Sequence, residues 1–469
     1  MSTTSTFRLT ASASVYQERR AALAAVLDRP LLIPAGFGRP RQIPSFTMPF
    51  RASSHYLYFG GPPIPGGVLL IEPGSDGAAG CYLARSARGP EDAVWEGAFP
   101  PDSALASCSG VAEGSVVDPE AVSGLLQGRA SMHLSPPCFA TLSWVADLGS
   151  ESVDSCESGP SAVGKIIDLR MHKDESDLVA MRHAASVTAD AYRAAFGAIR
   201  SGARESDVAG ALMGTMIAAG CGTSFNPIIT VHGEVLHLEG YPNVLSDGDL
   251  LLIDSGAEEP GGYAADVTRT VPVSGRYSDV QRDLYEVVLR AERSCVEACV
   301  VGRRYREIHD LAARVITEGL VDLGFLRGSV DSLMERRAHT LFFPHGVGHL
   351  LGMDAHDLED FGDLAGYASG RVRREGFGDS ALRLDRDLEA GMVVTIEPGL
   401  YLIPAVWESE SVSGAYADCV DRSKVDALLS ASFGGIRIED DVVVTSGAPE
   451  ILTSAIPSSV ADVEAALTG

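Results

Sequence analysis

Long apolar runs are missing from this sequence. No stretch approaches the about 18 consecutive apolar residues that span a bilayer, which predicts no membrane-crossing helix. Basic residues are scarce: 37 Lys and Arg stand against 63 Asp and Glu, for a formal net charge of −26. That balance argues against a nucleic-acid partner, whose phosphates are met by Lys and Arg, and against anionic membrane surfaces. Cysteine is sparse and unpatterned. The eight are Cys81, Cys108, Cys138, Cys156, Cys221, Cys295, Cys299 and Cys419, with no CxxC pair. Cys295 and Cys299, four apart on an apparent helix, read as core-facing thiols. The start of the chain holds no apolar core of signal-peptide length. Together these features predict a reducing, cytoplasmic compartment.

The composition that remains, 45% hydrophobic and 21% charged, is that of a chain able to build a large core. Its 469 residues exceed what one core holds, about 250–300 residues, and predict two or three domains. Residues 1–13 are Ser/Thr-rich and read as a loose tail. "VYQERRAALAAVL" has helical spacing; "PLLIPAG", "HYLYFGG", "GVLLIEPG" and "GCYLARS" read as strands bounded by Gly and Pro. The alternation predicts an α/β domain over 14–150. The Ser/Gly/Glu-rich segment 149–165 reads as a linker. Residues 166–469 run helices then strands, twice over, and predict an α+β domain of two similar halves.

Histidine is scarce as well, 11 in the whole chain, yet three fall within "FFPHGVGHLLGMDAHD" at 342–357: His345, His349 and His356. Buried structural imidazoles would account for them singly. Carboxylates elsewhere argue for a joint role. Asp254 and Asp266 lie in or beside apolar strands in "LLLIDSGAEEPGGYAADVTRT". Glu397 ends the apolar strand "VVTIE", and Glu439 lies inside "GGIRIEDDVVV", two residues after Arg437. One such residue reads as a strand-end cap or a structural ion pair. Four acids on four apolar strands, where unpaired charge is costly, read as metal ligands. A pair of divalent cations about 3.5–4 Å apart requires such an oxygen-rich set. Oxygens with a single imidazole suit Mn²⁺, with Co²⁺ or Zn²⁺ as alternatives.

These motifs resemble, in order, those of the proline-specific metallopeptidases of the pita-bread fold, the aminopeptidase P and prolidase group. "FRASSHYLYFGG" resembles a segment of that family's N-terminal domain. "DLLLIDSGAE…YAADVTRTVPVSG", "FFPHGVGHLLGMDAHD", "TIEPGLY" and "FGGIRIEDDVVVT" resemble its catalytic motifs. The resemblance implies a pita-bread catalytic domain behind a smaller α/β domain. It implies two metal ions held by Asp254, Asp266, His349, Glu397 and Glu439, with Asp266 and Glu439 bridging. His356 and His345 would face the substrate, His356 as oxyanion donor, and His237 would be a further active-site histidine. Glu397 would also take a proton from the attacking water. Thr268 and Arg437 would orient ligands, and Tyr401 would approach the site.

The implied activity is hydrolysis of an Xaa-Pro bond to release the N-terminal residue, on peptides with proline second, by a dimer or tetramer. Arg383 resembles the prolidase arginine that receives a dipeptide carboxylate, and predicts that dipeptides are also accepted; a surface arginine is the alternative. A strict Xaa-Pro dipeptidase is the competing reading. A metal-free binding protein or amidinohydrolase of the same fold, and a methionine aminopeptidase, fit less well: the ligand set is complete and an N-terminal domain is present. Three departures stand out: "LHL" where the family has "LHY", and insertions at 358–378 and 404–432.

Overall fold

Leu31–Pro34 and Val68–Ile71 bury every side chain, so their continuous apolar runs fit the middle of a sheet rather than a half-exposed edge. They pair antiparallel, Leu31 opposite Ile71. The structure, a computed structural model, describes residues 9–43, 46–86, 89–97, 99–135 and 138–468. The first eight residues of the expected tail lie outside the described residues. The chain divides into one unit of residues 1–170 with 260–262 and another of 171–259 with 263–469.

The first unit is a six-stranded mixed sheet flanked by helices, with Leu31–Pro34 and Val68–Ile71 at its centre. Helix Ala13–Ala24 matches the helical spacing read there. Its Arg20 is fully buried and satisfied by four carbonyls, Gly77, Phe59, Ser109 and Gly110, at 2.7–2.9 Å.

One expected strand is a helix. "HYLY" falls in the helical turn Ser54–Tyr58, all five of whose residues are buried. A short apolar run has no period to tell strand from buried helix. Tertiary contacts decided it: the Tyr58 ring packs under the Arg19 guanidinium at 4.0 Å, and its hydroxyl donates to Leu169 O at 2.7 Å. Segment 149–165, expected as a linker, carries strand Glu151–Ser152 of the sheet and the start of helix Gly159–Met171.

The second unit repeats one motif. Helices Glu175–Ala198 and Glu205–Ala218 precede strands Ile228–Thr230, Leu250–Ser255 and Val267–Pro272. Helices Asp279–Glu297 and Tyr305–Asp322 precede strands Val393–Ile396, Gly399–Tyr401, Gly435–Arg437 and Asp440–Val443. The first helix is closed by a capping box: Asp174 accepts from the N–H groups of Ser176 and Asp177, and Asp177 answers at Asp174 N, 3.0 Å. Ser278 and Gln281 close the same box on helix Asp279–Glu297.

Insertion 358–378 folds into a 3₁₀ turn, Glu359–Phe361, and a short helix, Asp363–Gly366. Just beyond it, the buried Asp385 gathers Arg304 at 2.7 Å and Arg306 at 2.8 Å, which ties this segment to helix Tyr305–Asp322. Insertion 404–432 is helical, ending in Arg422–Ser430. No helix among the described residues is long and apolar enough to cross a membrane.

Candidate metal centre

Strand Leu250–Ser255 is buried along its length and lies between its two antiparallel neighbours. Its register sets Thr268 opposite Asp254. Thr268 also bridges Glu439, whose N–H donates to Thr268 O at 3.0 Å. Asp254, Thr268 and Glu439 therefore form a row across neighbouring strands.

Hydrogen bonds lock that row. Thr268 Oγ1 donates to Glu439 Oε2 at 2.7 Å and accepts from Arg437 Nε at 3.0 Å. Arg437 Nη2 pairs with Asp254 Oδ2, and Nη1 donates to the Tyr401 hydroxyl at 3.1 Å. Thr268 and Arg437 thus touch the acidic side chains that the resemblance implies they orient. Asp266 leads into strand Val267–Pro272, and its N–H donates to Asp441 Oδ2 at 3.1 Å.

His349 is placed by the backbone before it. Gly348 has a positive φ of 153°, and a Cβ there would lie 2.1 Å from Thr395 O and 2.4 Å from the Tyr305 hydroxyl. Only glycine lets the loop approach this closely. His349 N donates to Thr395 Oγ1 at 3.1 Å, and Nδ1 donates to Leu350 O at 3.0 Å. A carbonyl on Nδ1 fixes the proton there and leaves the Nε2 lone pair inward. Nε2 lies 3.4 Å from Glu397 Oε1 and 3.6 Å from Asp266 Oδ2. Burial, the largest influence, lowers its pKa to about 3, so the ring is neutral, as a ligand must be. Ligand atoms of Asp266, His349 and Glu439 all fall within 4.8 Å of one another.

The acids repel one another. Burial first, then Glu439 and Asp254, push Asp266 well above the usual carboxylate range. Burial, Glu397 and Asp254 do the same to Glu439, and burial with Asp254 nearby raises Glu397 to about 7 despite Arg437. Arg437 alone does not balance this set. Among the described residues, Asp254 Oδ1 and Asp266 Oδ1 are buried without a hydrogen-bond partner. Hard, unpartnered oxygens beside a neutral imidazole fit divalent cations.

The remaining predicted residues divide. His345 is half-buried; Nδ1 donates to Gly346 O at 2.8 Å and Nε2 meets the Tyr401 hydroxyl at 2.9 Å. Burial, then Arg437, lower it to about 3. His356 lies against His349, ring centroids 4.2 Å apart with the planes tilted by 53°, and its Nδ1 lies 3.2 Å from Glu359 Oε2. Arg383 Nη1 donates to that same Glu359 oxygen at 2.7 Å. His237 is exposed, and partial burial followed by Arg437 lowers its pKa. A cavity of about 240 Å³ opens beside the centre, lined by His349, Asp357, Glu359, Arg373 and Arg383.

Sequence reasoning missed Glu359, Thr395 and Arg269. Arg269 is fully buried. It pairs with Asp440 Oδ1 at 2.9 Å and donates to Glu439 O at 2.7 Å and Thr268 O at 3.0 Å, so it fixes the backbone of both site strands. An arginine inside "VTRTV" was the available signal. Glu359 lies in the insertion and carries no local one.

A two-half catalytic unit with paired carboxylates around an imidazole is that of a metal-dependent peptidase. Residues 179–446 match the profile of metallopeptidase family M24, and residues 16–130 that of the aminopeptidase P N-terminal domain; the chain belongs to metallopeptidase family M24. It is 32% identical over 430 residues to the "Probable Xaa-Pro aminopeptidase pepP" of Neosartorya fischeri, covering 89% of this chain and 88% of that protein. It is 32% identical over 317 residues to the "Xaa-Pro dipeptidase" of Homo sapiens, covering 65% and 62%. The aminopeptidase PepP of Pseudomonas aeruginosa superposes with a TM-score of 0.78 at 29% identity, over 98% of this chain and 99% of that one. Zinc-substituted Escherichia coli aminopeptidase P in complex with product superposes at 0.79 and 27%, over 97% and 98%.

Proposed function

We propose that the chain is a dinuclear Xaa-Pro aminopeptidase that also accepts Xaa-Pro dipeptides. The observation that carries this reading is the convergence of Asp266, His349 and Glu439 within 4.8 Å, with Glu397 on His349 and Asp254 held by Arg437. In this reading residues 14–150 are the aminopeptidase P-type domain and 166–469 the catalytic domain. Asp254, Asp266, His349, Glu397 and Glu439 hold two divalent ions, Mn²⁺ by the hardness of the set. When bound, such ions polarise the scissile carbonyl and acidify water. Glu397 accepts the proton of the attacking water. Glu359 engages His356 Nδ1, which leaves Nε2 as the ring nitrogen for the oxyanion. Tyr401 and Arg437 hold His345 against the centre. Arg383 receives the free proline carboxylate of a dipeptide in exchange for Glu359.

The likeness to both Xaa-Pro aminopeptidases and dipeptidases supports the Xaa-Pro bond as the target and leaves strict dipeptidase activity as the second reading, favoured by the cation at Arg383. The acidic surface fits a cytoplasmic enzyme with small peptide substrates, assembled as a dimer or tetramer, and no nucleic-acid partner. Turnover of Xaa-Pro dipeptides and Xaa-Pro-Xaa tripeptides, measured side by side with Mn²⁺, tests it. Cleavage of both supports the broad reading; cleavage of dipeptides alone selects the second; cleavage of neither removes both.

A further inference from the structure

A second group of metal-ligand side chains lies outside the centre described above. His309 is the fifth residue of helix Tyr305–Asp322. His339 sits on the 3₁₀ turn Ala338–Leu341, which follows Arg337 in a left-handed conformation, φ 60°. Asp379 begins the 3₁₀ turn Asp379–Ala381, just past insertion 358–378. All three are buried, at 2%, 4% and 2% exposure. One ligand atom from each falls within 4.8 Å of the other two. The Phe343 ring separates this group from the first centre: it lies 5.5 Å from the His309 ring and 4.8 Å from the His345 ring, between centroids.

Three buried polar side chains normally satisfy one another. Here two of them do not: among the described residues, His309 Nδ1 and His339 Nδ1 are buried with no hydrogen-bond partner. The Arg337 guanidinium contacts Asp379 Oδ2, and Arg374 Nη1 lies 3.9 Å from Oδ1. Arg337, its side chain 36% exposed, also donates from Nη1 to Glu375 O at 3.2 Å, and Arg374 pairs with Asp310 at 2.8 and 3.0 Å. Burial keeps both imidazoles in the neutral form, which carries a lone pair.

We propose that His309, His339 and Asp379 form a further metal site, for a zinc-class divalent ion, independent of the centre built on Asp254. Two imidazoles and one carboxylate are a zinc donor set, with the fourth position left to water. Its role follows from what it joins. The ion ties Asp379–Ala381 to helix Tyr305–Asp322, and Ser380, Ala381 and Arg383 line the cavity beside His349. Loading this site therefore fixes the segment that carries Arg383, much as a structural zinc fixes a loop.

The test uses the full chain with the first centre disabled by Asp266→Asn and His349→Gln. After exposure to Zn²⁺ and removal of free ion, this protein should retain about one zinc per chain by elemental analysis, and zinc should raise its melting temperature. Adding either His339→Gln or Asp379→Asn should abolish both effects, while circular dichroism shows the fold retained. No retained zinc in the folded parent, or retention unchanged by both added substitutions, overturns the proposal. If the centre-disabled parent does not fold, total zinc is compared in the otherwise unaltered chain and its Asp379→Asn variant. A loss of about one equivalent supports the site, and unchanged content overturns it.

Discussion

Arg383 Nη1 donates to Glu359 Oε2 at 2.7 Å, so the cation assigned to a substrate carboxylate already holds a carboxylate of its own chain. The same Glu359 oxygen lies 3.2 Å from His356 Nδ1. Burial works against its charge, but the His356 hydrogen bond and Arg383 keep its pKa below the ordinary value. Glu359 therefore joins the residue proposed to bind substrate with the one proposed to stabilise the oxyanion. The two substitutions at this pair should have opposite signs in KM. Arg383→Ala should raise KM for Xaa-Pro dipeptides by an amount worth roughly 1.5–3 kcal/mol, a lost charged hydrogen bond, and leave Xaa-Pro-Xaa tripeptides nearly unchanged. Glu359→Gln should lower dipeptide KM by no more than about fivefold, the scale of a partly exposed pair near 0.2–1 kcal/mol, while kcat falls on both substrates. Steady-state kinetics on matched dipeptides and tripeptides checks both. Equal losses on the two substrates for Arg383→Ala would remove it from the specificity argument.

Metal removal should abolish turnover. The unpartnered oxygens of Asp254 and Asp266 are buried beside Glu439 and Glu397, and only cations balance them. Chelation should end activity, and Mn²⁺ or Co²⁺ should restore it best. Asp254→Asn should lower bound metal together with rate. Full turnover by protein shown metal-free in elemental analysis would contradict the assignment.

His349 and His356 should behave differently although their ring centroids are only 4.2 Å apart. His349→Ala removes an inward lone pair and should lower metal content. His356→Ala should leave the metal in place and reduce kcat by roughly 10²–10³, one lost oxyanion donor. Parallel metal analysis and kinetics separate them; an emptied centre in His356→Ala would reverse the two roles.

Arg269→Met should be among the most damaging single changes in the second unit. It strands Asp440, 4% exposed, and withdraws donors from the carbonyls of Glu439 and Thr268. Breaking a buried pair from one side costs about 3–5 kcal/mol. Urea unfolding of the full chain measures it, and a loss below 1 kcal/mol would show the pair to be dispensable.

Stability should fall as pH rises through the neutral range, in part through Glu292. Burial, then repulsion from Asp440, raises its pKa from 4.5 to about 8, against the pull of Arg269. A folded-state pKa above the unfolded one means the folded chain holds the proton more tightly. That contribution is complete below about pH 4.5 and is lost between there and about pH 8. Glu292→Gln should flatten this part of the profile and make the variant the more stable form at pH 8 by up to roughly 3–5 kcal/mol. Denaturant midpoints at pH 5 and 8 decide it; parallel profiles would mean that Glu292 is not the titrating group.

The buried strands around Asp254, Glu397 and Glu439 and the histidine cluster at 342–357 were legible in the sequence. Each is a local conflict or a local pattern: a charge in an apolar run, a scarce residue repeated within a few positions. Such features are fixed by neighbours within a few positions. What the tertiary structure decided lies at longer range. "HYLY" became a helical turn because Arg19 and Leu169 O met Tyr58, not because its own period changed. Arg269 reaches Asp440 across 171 residues, Arg383 finds Glu359 across 24, and Tyr401 joins His345 to Arg437. His309, His339 and Asp379 come together from a helix and two separate turns. No periodicity encodes these meetings. A side chain's charge and hydrogen-bonding capacity are written in the sequence, but its partner is chosen only when packing removes water and leaves one group within reach.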